Sequence, residues 1–329
     1  MLKSQHLISI KRGWLPLDSI AVITGPTATG KTALGIALAR ALGGEIVSAD
    51  SMQIYRRMDI GTAKPTPAER AAAVHHMIDV ADPDEDFSVS RYVEMADRCV
   101  QDILSRGRLP VVVGGTGLYV DSLVRGRGYE APLDPGLRAE LGARYDEIGG
   151  EAFRAELARL DPMRAAKLAS GDKKRLVRAM EVCRLTGKTM TELDELDAAR
   201  EPRYSAAKIV LDFASREDLY RRIDARVDEM VRLGLEGEVR ALLDSGVRRS
   251  GTAMQAIGYK EMAAAIDGEM SVAAAVEEIK RASRRYAKRQ LTWLRRDGEA
   301  LRISWPGPVA DIERARLVST EFLAARGIK

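Results

Sequence analysis

An α/β fold, with a parallel sheet covered by helices on both faces and a small all-helical insertion, is what this sequence predicts. Three observations predict it. Short apolar runs alternate with longer helix-period runs through the first half of the chain. A glycine-rich turn, Gly25-Pro26-Thr27-Ala28-Thr29-Gly30-Lys31-Thr32, joins the first apolar run to the first helical run. Strand signals then vanish between Pro132 and Pro202, where charged Ala- and Leu-rich helical segments take over.

The elements follow in order. Apolar runs at 20–24, 45–49 and 109–113 predict buried strands, and the runs 31–42 and 88–106 predict the helices between them. The 132–202 segment is punctuated by Gly149-Gly150, Gly171 and Gly187, as expected of a helical insertion. The run Lys208–Phe213 resumes the α/β pattern. Helical stretches over 216–245 and 272–296 follow, and from Ile303 a short strand and a last helix. The expected organisation is 1–131 as the first part of the core, 132–202 as the insertion domain, and 203–329 as the completion of the core with basic helices.

Composition narrows the class. At 329 residues, 46% hydrophobic and 30% charged, the chain is expected to be soluble and globular with more than one small core. Aromatics are only 5%, so the core is aliphatic. Cys99 and Cys183 lie far apart, which fits a reducing compartment, the cytoplasm, and neither a disulfide framework nor a zinc site. His75 and His76 are adjacent, a poor spacing for metal ligands, and a surface or packing role is expected of them. No apolar run reaches membrane length. The first residues, through His6, read as an ordinary extension and not a signal peptide.

Residues 25–32 match G-x-x-x-x-G-K-[ST], so the core is expected to be P-loop NTPase-like. Gly25 and Gly30 let the backbone wrap an anion, with the N–H groups from Thr27 to Lys31 turned inward at the positive end of a helix. Lys31 adds a full charge, and the Thr32 hydroxyl suits a Mg²⁺ shell. The loop predicts a bound di- or triphosphate without saying which. A motor or switch ATPase needs an acid at the end of a second strand. Asp50 and Asp212 are the candidates, while the strand 109–113 ends in Gly114-Gly115. A group-transfer enzyme fits better. Asp50 reads either as a turn cap or as a proton acceptor.

From Lys280 to Arg296 the chain carries eight cations, Lys280, Arg281, Arg284, Arg285, Lys288, Arg289, Arg295 and Arg296, with no acid between them. Val272, Val276, Ile279, Tyr286 and Trp293 recur at helical spacing, so one long helix with an apolar stripe and a basic remainder is expected. Either a solvated face or an RNA-backbone contact satisfies that pattern.

The chain resembles the tRNA dimethylallyltransferase (isopentenyltransferase) family. The resemblance is carried by GPTATGKT (25–32), SADSMQIYR (48–56), DIGTAKP (59–65), HHMID (75–79), GGTGLYV (114–120), KRLVRAMEV (174–182), IDARVDEMVRLGLEGEV (223–239), QAIGYKE (255–261) and AKRQLTW (287–293), in family order.

The resemblance implies transfer of a dimethylallyl group from dimethylallyl diphosphate to N6 of adenosine 37, beside the anticodon, in tRNAs reading codons that start with U. It implies that Gly25–Thr32 hold the diphosphate with Mg²⁺ on the Thr32 hydroxyl, and that Asp50 is the general base. Arg226 matches an arginine on the leaving diphosphate, although its place beside the stripe Leu219, Ile223, Val227 and Met230 equally allows a local salt bridge. It implies tRNA contacts from Asp50, Ser51, Met52, Gln53, Thr116 and Arg138. The segments Lys174, Arg175, Leu176, Val177, Arg178 and Gln255, Ala256, Ile257, Gly258, Tyr259, Lys260 are matched to the same side, with Lys288, Arg289 and Gln290. Family members usually carry Gln where this chain has Lys174, which keeps a cationic surface and puts one specific hydrogen bond in question. Some relatives carry a zinc finger; with no cysteine beyond Cys183 none is expected here. A single chain is expected to complete the site as a monomer. The rival readings are an adenylate isopentenyltransferase acting on free AMP, ADP or ATP, a P-loop small-molecule kinase, and a non-enzymatic RNA-binding protein.

Overall fold

The computed structural model describes residues 18–126 and 134–328; the extension through His6 lies outside them. The chain divides into two compact units, one running to Val124 and resuming at Arg203, the other Arg125–Pro202.

The first unit is built on six parallel strands, β1 (Ser19–Thr24), β2 (Glu45–Ser48), β3 (His75–His76), β4 (Pro110–Val113), β5 (Ser205–Phe213) and β6 (Leu301–Trp305), in the order β3-β2-β4-β1-β5-β6. The central strands read as unbroken apolar runs because both of their faces are covered. Along β1, Ala21 and Ile23 face a core with Leu34 and Leu38 of the helix Lys31–Ala41. Ile20 and Val22 face the opposite core, with Tyr92, Ala96 and Val100 of the helix Val89–Ser105. The two-residue edge strand β3 was not predicted, because so short a segment carries no alternation to read.

The stretch expected to be helical over 216–245 breaks at Gly234, whose φ of 99° ends one helix, Arg216–Arg232, and starts the next, Leu235–Asp244. The long basic helix runs Val272–Leu294. Three loops leave the carboxyl ends of β1, β2 and β4, where parallel sheets bind ligands. They carry the P-loop, Asp50–Gln53 and Gly114–Thr116.

The second unit is helical throughout its described residues, with helices Pro135–Ile148, Gly150–Ala158, Pro162–Lys167, Lys173–Thr186 and Met190–Ala199. Asp134, Asp161, Asp172 and Thr189 cap four of them, which explains why each starts where it does. Leu141, Phe153, Leu157, Leu176, Val177 and Met180 form its own core. The buried Glu181 there accepts from Arg138 at 2.7 Å and Arg178 at 2.7 Å. Burial alone would raise the Glu181 pKa, but these two bonds hold it below the usual range.

Candidate active site

The P-loop is held open by bonds to its own carbonyl groups and to distant side chains. Gly25 has φ 152° and sits so close to β5 that a Cβ would lie 2.4 Å from the Leu211 carbonyl oxygen. Ala28 adopts φ 68°, a region disfavoured for a side-chain-bearing residue. The loop keeps this shape because Thr29 Oγ1 donates to the Pro26 carbonyl (2.8 Å), Trp305 Nε1 to Thr29 (3.0 Å) and Arg222 Nε to Ala28 (3.2 Å). Gly30, at φ 89°, is the N-cap of the helix Lys31–Ala41 and offers no side-chain cap. The N–H groups of Ala28 to Thr32 therefore have no hydrogen-bond partner among the described residues. The Thr27 N–H departs from the expected inward set: it donates to Gln290 Oε1 at 3.0 Å.

Lys31, Arg222 and Arg226 are the cations beside the P-loop in the same cavity, of about 1260 Å³, which Arg56, Arg57, Lys64 and Arg70 also line. Lys31 Nζ donates to the Pro26 carbonyl at 2.7 Å. Burial and the neighbouring Arg226 pull its pKa down to about 7, with Asp50 pulling the other way. Arg226 makes no hydrogen bond or ion pair with any described residue, and its Nε is buried without a partner. Burial lowers its pKa as well. The local salt bridge that the sequence allowed for Arg226 is therefore not made. Arg222 completes the group and was missed by sequence, where it is one of several arginines in a charged helix. Buried cations with no acid at bonding distance are costly, and a bound anion relieves that cost.

Asp50 lies two residues beyond β2 on the same cavity. Its Oδ1 accepts from the N–H groups of Met52 (2.9 Å) and Gln53 (3.3 Å), while Oδ2 makes no hydrogen bond to a described residue. One oxygen caps the turn and the other remains for chemistry, so the two sequence readings are compatible. Thr116 Oγ1 accepts from Ser51 N–H at 3.1 Å and braces the turn. Gln53 is oriented by its Nε2, which donates to the carbonyls of Thr62 (3.3 Å) and Ala63 (3.2 Å). Tyr286, read from sequence only as part of an apolar stripe, also lines the cavity. Burial, then the field of Asp50, pushes its hydroxyl up to about 12.

Thr32, Ser48 and Asp50 border one cavity, and the described residues contain no cluster of three or more His, Cys, Asp or Glu. One carboxylate and two hydroxyls suit Mg²⁺, which retains water and takes its remaining ligands from substrate phosphates. Asp212 is elsewhere: its Oδ1 accepts from Phe213 N–H and pairs with Arg216 at 3.5 Å.

Several residues matched to the RNA side by sequence are core. Leu176 and Val177 belong to the interior of the helical unit, and Ala256, Tyr259 and Gln290 are buried in the first. A matched motif covers whole helical turns, so it includes inward positions that no outside partner reaches. Lys174, Arg175, Gln255, Lys260, Lys288 and Arg289 are exposed. The expectation of eight unopposed cations also needs correction. Arg284 is held bidentately by Asp224 (2.6 and 2.7 Å), Lys280 by Asp228 (2.7 Å) and Glu277, and Arg281 by Glu278. The acids come from the preceding turn and from the facing helix Arg216–Arg232, which a scan along 280–296 does not see. Lys288, Arg289, Arg295 and Arg296 have no acidic partner among the described residues. His76 Nε2 bonds Glu45 at the sheet edge, whereas His75, whose Nδ1 bonds the Ala73 carbonyl, also borders the cavity and has a buried Nε2 without a partner among the described residues.

Comparison with known proteins places this geometry. The family model described as IPP transferase matches residues 53–297, and the one described as isopentenyl transferase matches residues 18–79. The tRNA dimethylallyltransferase of Heliobacterium modesticaldum is 45% identical over 92% of this chain and 93% of its own, and that of Geobacillus thermodenitrificans 48% over 84% and 88%. Among solved structures, the tRNA isopentenylpyrophosphate transferase of Bacillus halodurans superposes with a TM-score of 0.69 at 38% identity, covering 94% of this chain and 98% of that one. A eukaryotic dimethylallyltransferase acting on tRNA superposes with a TM-score of 0.79 at 26% identity, covering 95% and 81%. Matched by that family model over most of its length, and by relatives 45–48% identical over 84–92% of it, the chain belongs to the IPP transferase family.

Proposed function

We propose that this protein transfers the dimethylallyl group of dimethylallyl diphosphate to N6 of adenosine 37, next to the anticodon, in tRNAs that read codons starting with U. The observation that carries the reading is the convergence of unpartnered amides, Lys31, Arg222 and Arg226 on one cavity that Asp50 also borders. The cationic side is suited to a diphosphate and the carboxylate to an incoming amine.

In this reading N6 attacks C1 of the dimethylallyl group. The C–O bond breaks and its electron pair leaves with pyrophosphate. The P-loop amides, Lys31 and Arg226 stabilise the charge that grows there; single donors of this kind are worth about 3 kcal/mol in comparable sites. Adenine's amine is a weak nucleophile, so its proton passes to Asp50 Oδ2 as the C–N bond forms, a contribution of about 10²–10⁴-fold. The Thr32 hydroxyl would hold Mg²⁺, which would supply further charge neutralisation. The adenosine is flipped out of the anticodon loop to reach Asp50, at a cost of a few kcal/mol. Ser51, Met52, Gln53 and Thr116 meet the base and its neighbours. Arg138, Lys174, Arg175, Gln255, Lys260, Lys288 and Arg289 are the exposed candidates for the RNA backbone. A monomer supplies every residue of the site, and a cytoplasmic setting fits a tRNA substrate and two free cysteines.

Nucleoside mass spectrometry after incubation with Mg²⁺, dimethylallyl diphosphate and unmodified tRNA tests the reading, with AMP and ATP in parallel. Prenylated adenosine from tRNA alone is the expected result. Prenylated AMP or ATP would transfer the protein to the adenylate class, and ATP consumption without prenylation would leave only a kinase.

A further inference from the structure

Gln290 is the residue whose place in the structure departs furthest from its sequence reading. It lies on the long basic helix between the exposed Arg289 and the apolar Leu291, yet it is only 6% exposed. Both ends of its amide are used. Oε1 accepts from Thr27 N–H at 3.0 Å, and Nε2 donates to the Gly115 carbonyl at 2.9 Å. The amide thus ties the loop after β1 to the loop after β4. The second of these continues into Thr116, which braces the turn that carries Asp50. Gly115 accommodates the contact closely, since a Cβ there would come within 2.2 Å of Gln290 Nε2.

We infer that Gln290 is a positioning residue that sets the spacing between the diphosphate loop and the Asp50 wall, and that the Thr27 amide is withdrawn from the anion-binding set. The reasoning is a count of donors. An amide bonded to a buried side chain at 3.0 Å is already satisfied, while the amides that follow it in the loop are not. The anion therefore meets donors that begin beyond Thr27. Gln290 borders the cavity, but both ends of its amide are taken by the two loops, so it acts on the reaction through the backbone it holds. This inference rests on the proposed reading of the loop as a diphosphate site.

Two measurements test it without relying on prenylation. In the first, affinities for inorganic pyrophosphate with Mg²⁺ and for tRNA are compared in wild type, Gln290→Met and Gln290→Glu. Methionine keeps the length and removes both bonds. Glutamate keeps an acceptor for Thr27 but sets a second oxygen against the Gly115 carbonyl. Pyrophosphate affinity is expected to fall about ten-fold in Gln290→Met, as for loss of a buried hydrogen bond, and further in Gln290→Glu, while tRNA affinity stays within about two-fold. Loss of tRNA affinity with pyrophosphate binding intact would overturn the inference and restore an RNA-side role. No change in either would overturn it too.

The second measurement uses the wild-type chain and decides the matter if the variants do not fold. Amide hydrogen exchange is followed with and without pyrophosphate. The Thr27 amide should be protected in the free protein and unchanged on binding, while the Thr29, Gly30 and Lys31 amides gain protection only with pyrophosphate. Exchange at Thr27 that follows its neighbours would sink the assignment. A wild type that binds no pyrophosphate would instead sink the proposed function, and the protection of Thr27 in the free protein would still report on Gln290.

Discussion

This chain holds two clusters of basic residues and treats them in opposite ways. On the long helix, Lys280, Arg281 and Arg284 are matched by Glu277, Glu278, Asp224 and Asp228. Around the P-loop, Arg226 meets no acid at bonding distance, and Lys31 has only the Pro26 carbonyl. The first cluster is more basic in sequence, yet the cations of its first turns are matched by acids in space. The second contains fewer cations and carries an uncompensated charge into a cavity. Positive charge left unpaired at a structural cost identifies a site better than positive charge that is merely abundant.

The largest effect should come from the acid facing the unpaired cluster. Asp50 is the carboxylate whose field reaches both Lys31 and Arg226. Asp50→Asn is expected to lower kcat by about 10³-fold, as for loss of a general base. Pyrophosphate should bind at least as tightly, because a negative charge has left the cavity. Turnover within a few-fold of wild type would end the base assignment, and weakened pyrophosphate binding would show that Asp50 works chiefly through bound Mg²⁺.

Arg226 sharpens the contrast by setting function against stability. Arg226→Met should weaken pyrophosphate binding by about 10²-fold, the scale of a lost charge-assisted contact. It should also raise Tm by a few degrees, because a buried unpartnered cation becomes an apolar side chain. Arg284→Met should do the reverse, leaving pyrophosphate binding unchanged and lowering Tm by stranding Asp224. Parallel behaviour of the two variants would break the comparison.

Lys31 gives the pH dependence. Its folded pKa, about 7, lies below the ordinary lysine value. Between about pH 7 and 10 the unfolded chain holds a proton that the folded chain has lost, so this residue makes stability rise with pH across that window. Below about pH 7 the full cost of the buried cation is present. Pyrophosphate favours the charged form, so binding near pH 8 should take up a proton, and affinity should fall as pH rises through the window. Calorimetry in buffers of different ionisation heat measures the uptake, and Lys31→Arg should abolish it. Equal binding heats in all buffers for the wild type would place the Lys31 pKa outside this range.

The sheet and the P-loop were legible because each rests on local pattern: β-branched runs buried on both faces, and a glycine spacing that the loop geometry requires. The turn at Asp50 was legible too, since a carboxylate next to a strand end has few local roles. Pairing was not. Glu238 accepts from the N–H groups of Asp59, Ile60 and Gly61 and shapes the cavity wall from 177 or more residues away. Trp305 holds Thr29 across 276 residues, and Gln290 holds Thr27 across 263. Such partners leave no spacing to read. The same limit made the basic helix look unopposed, because Asp224 and Asp228 face it from another element.

The smallest effects should separate the two halves of that helix. Each lysine or arginine that neutralises an RNA phosphate releases a condensed counterion, so log affinity for tRNA falls with log salt in proportion to the number of such contacts. Lys288, Arg289, Arg295 and Arg296 are exposed and unopposed by acids among the described residues, and Arg289 lies 5.5 Å from the Tyr286 ring centre. Replacing any one that meets a phosphate by Ala should reduce the slope by about 1. Arg284 already spends its charge on Asp224, so a phosphate gains little from it. Arg284→Gln should leave the slope within about 0.3 of wild type, on the same linear scale. A slope reduced as much by Arg284→Gln as by Lys288→Ala would mean that RNA competes successfully for carboxylate-bound cations. The distinction between paired and unpaired charge would then hold for the P-loop cavity alone.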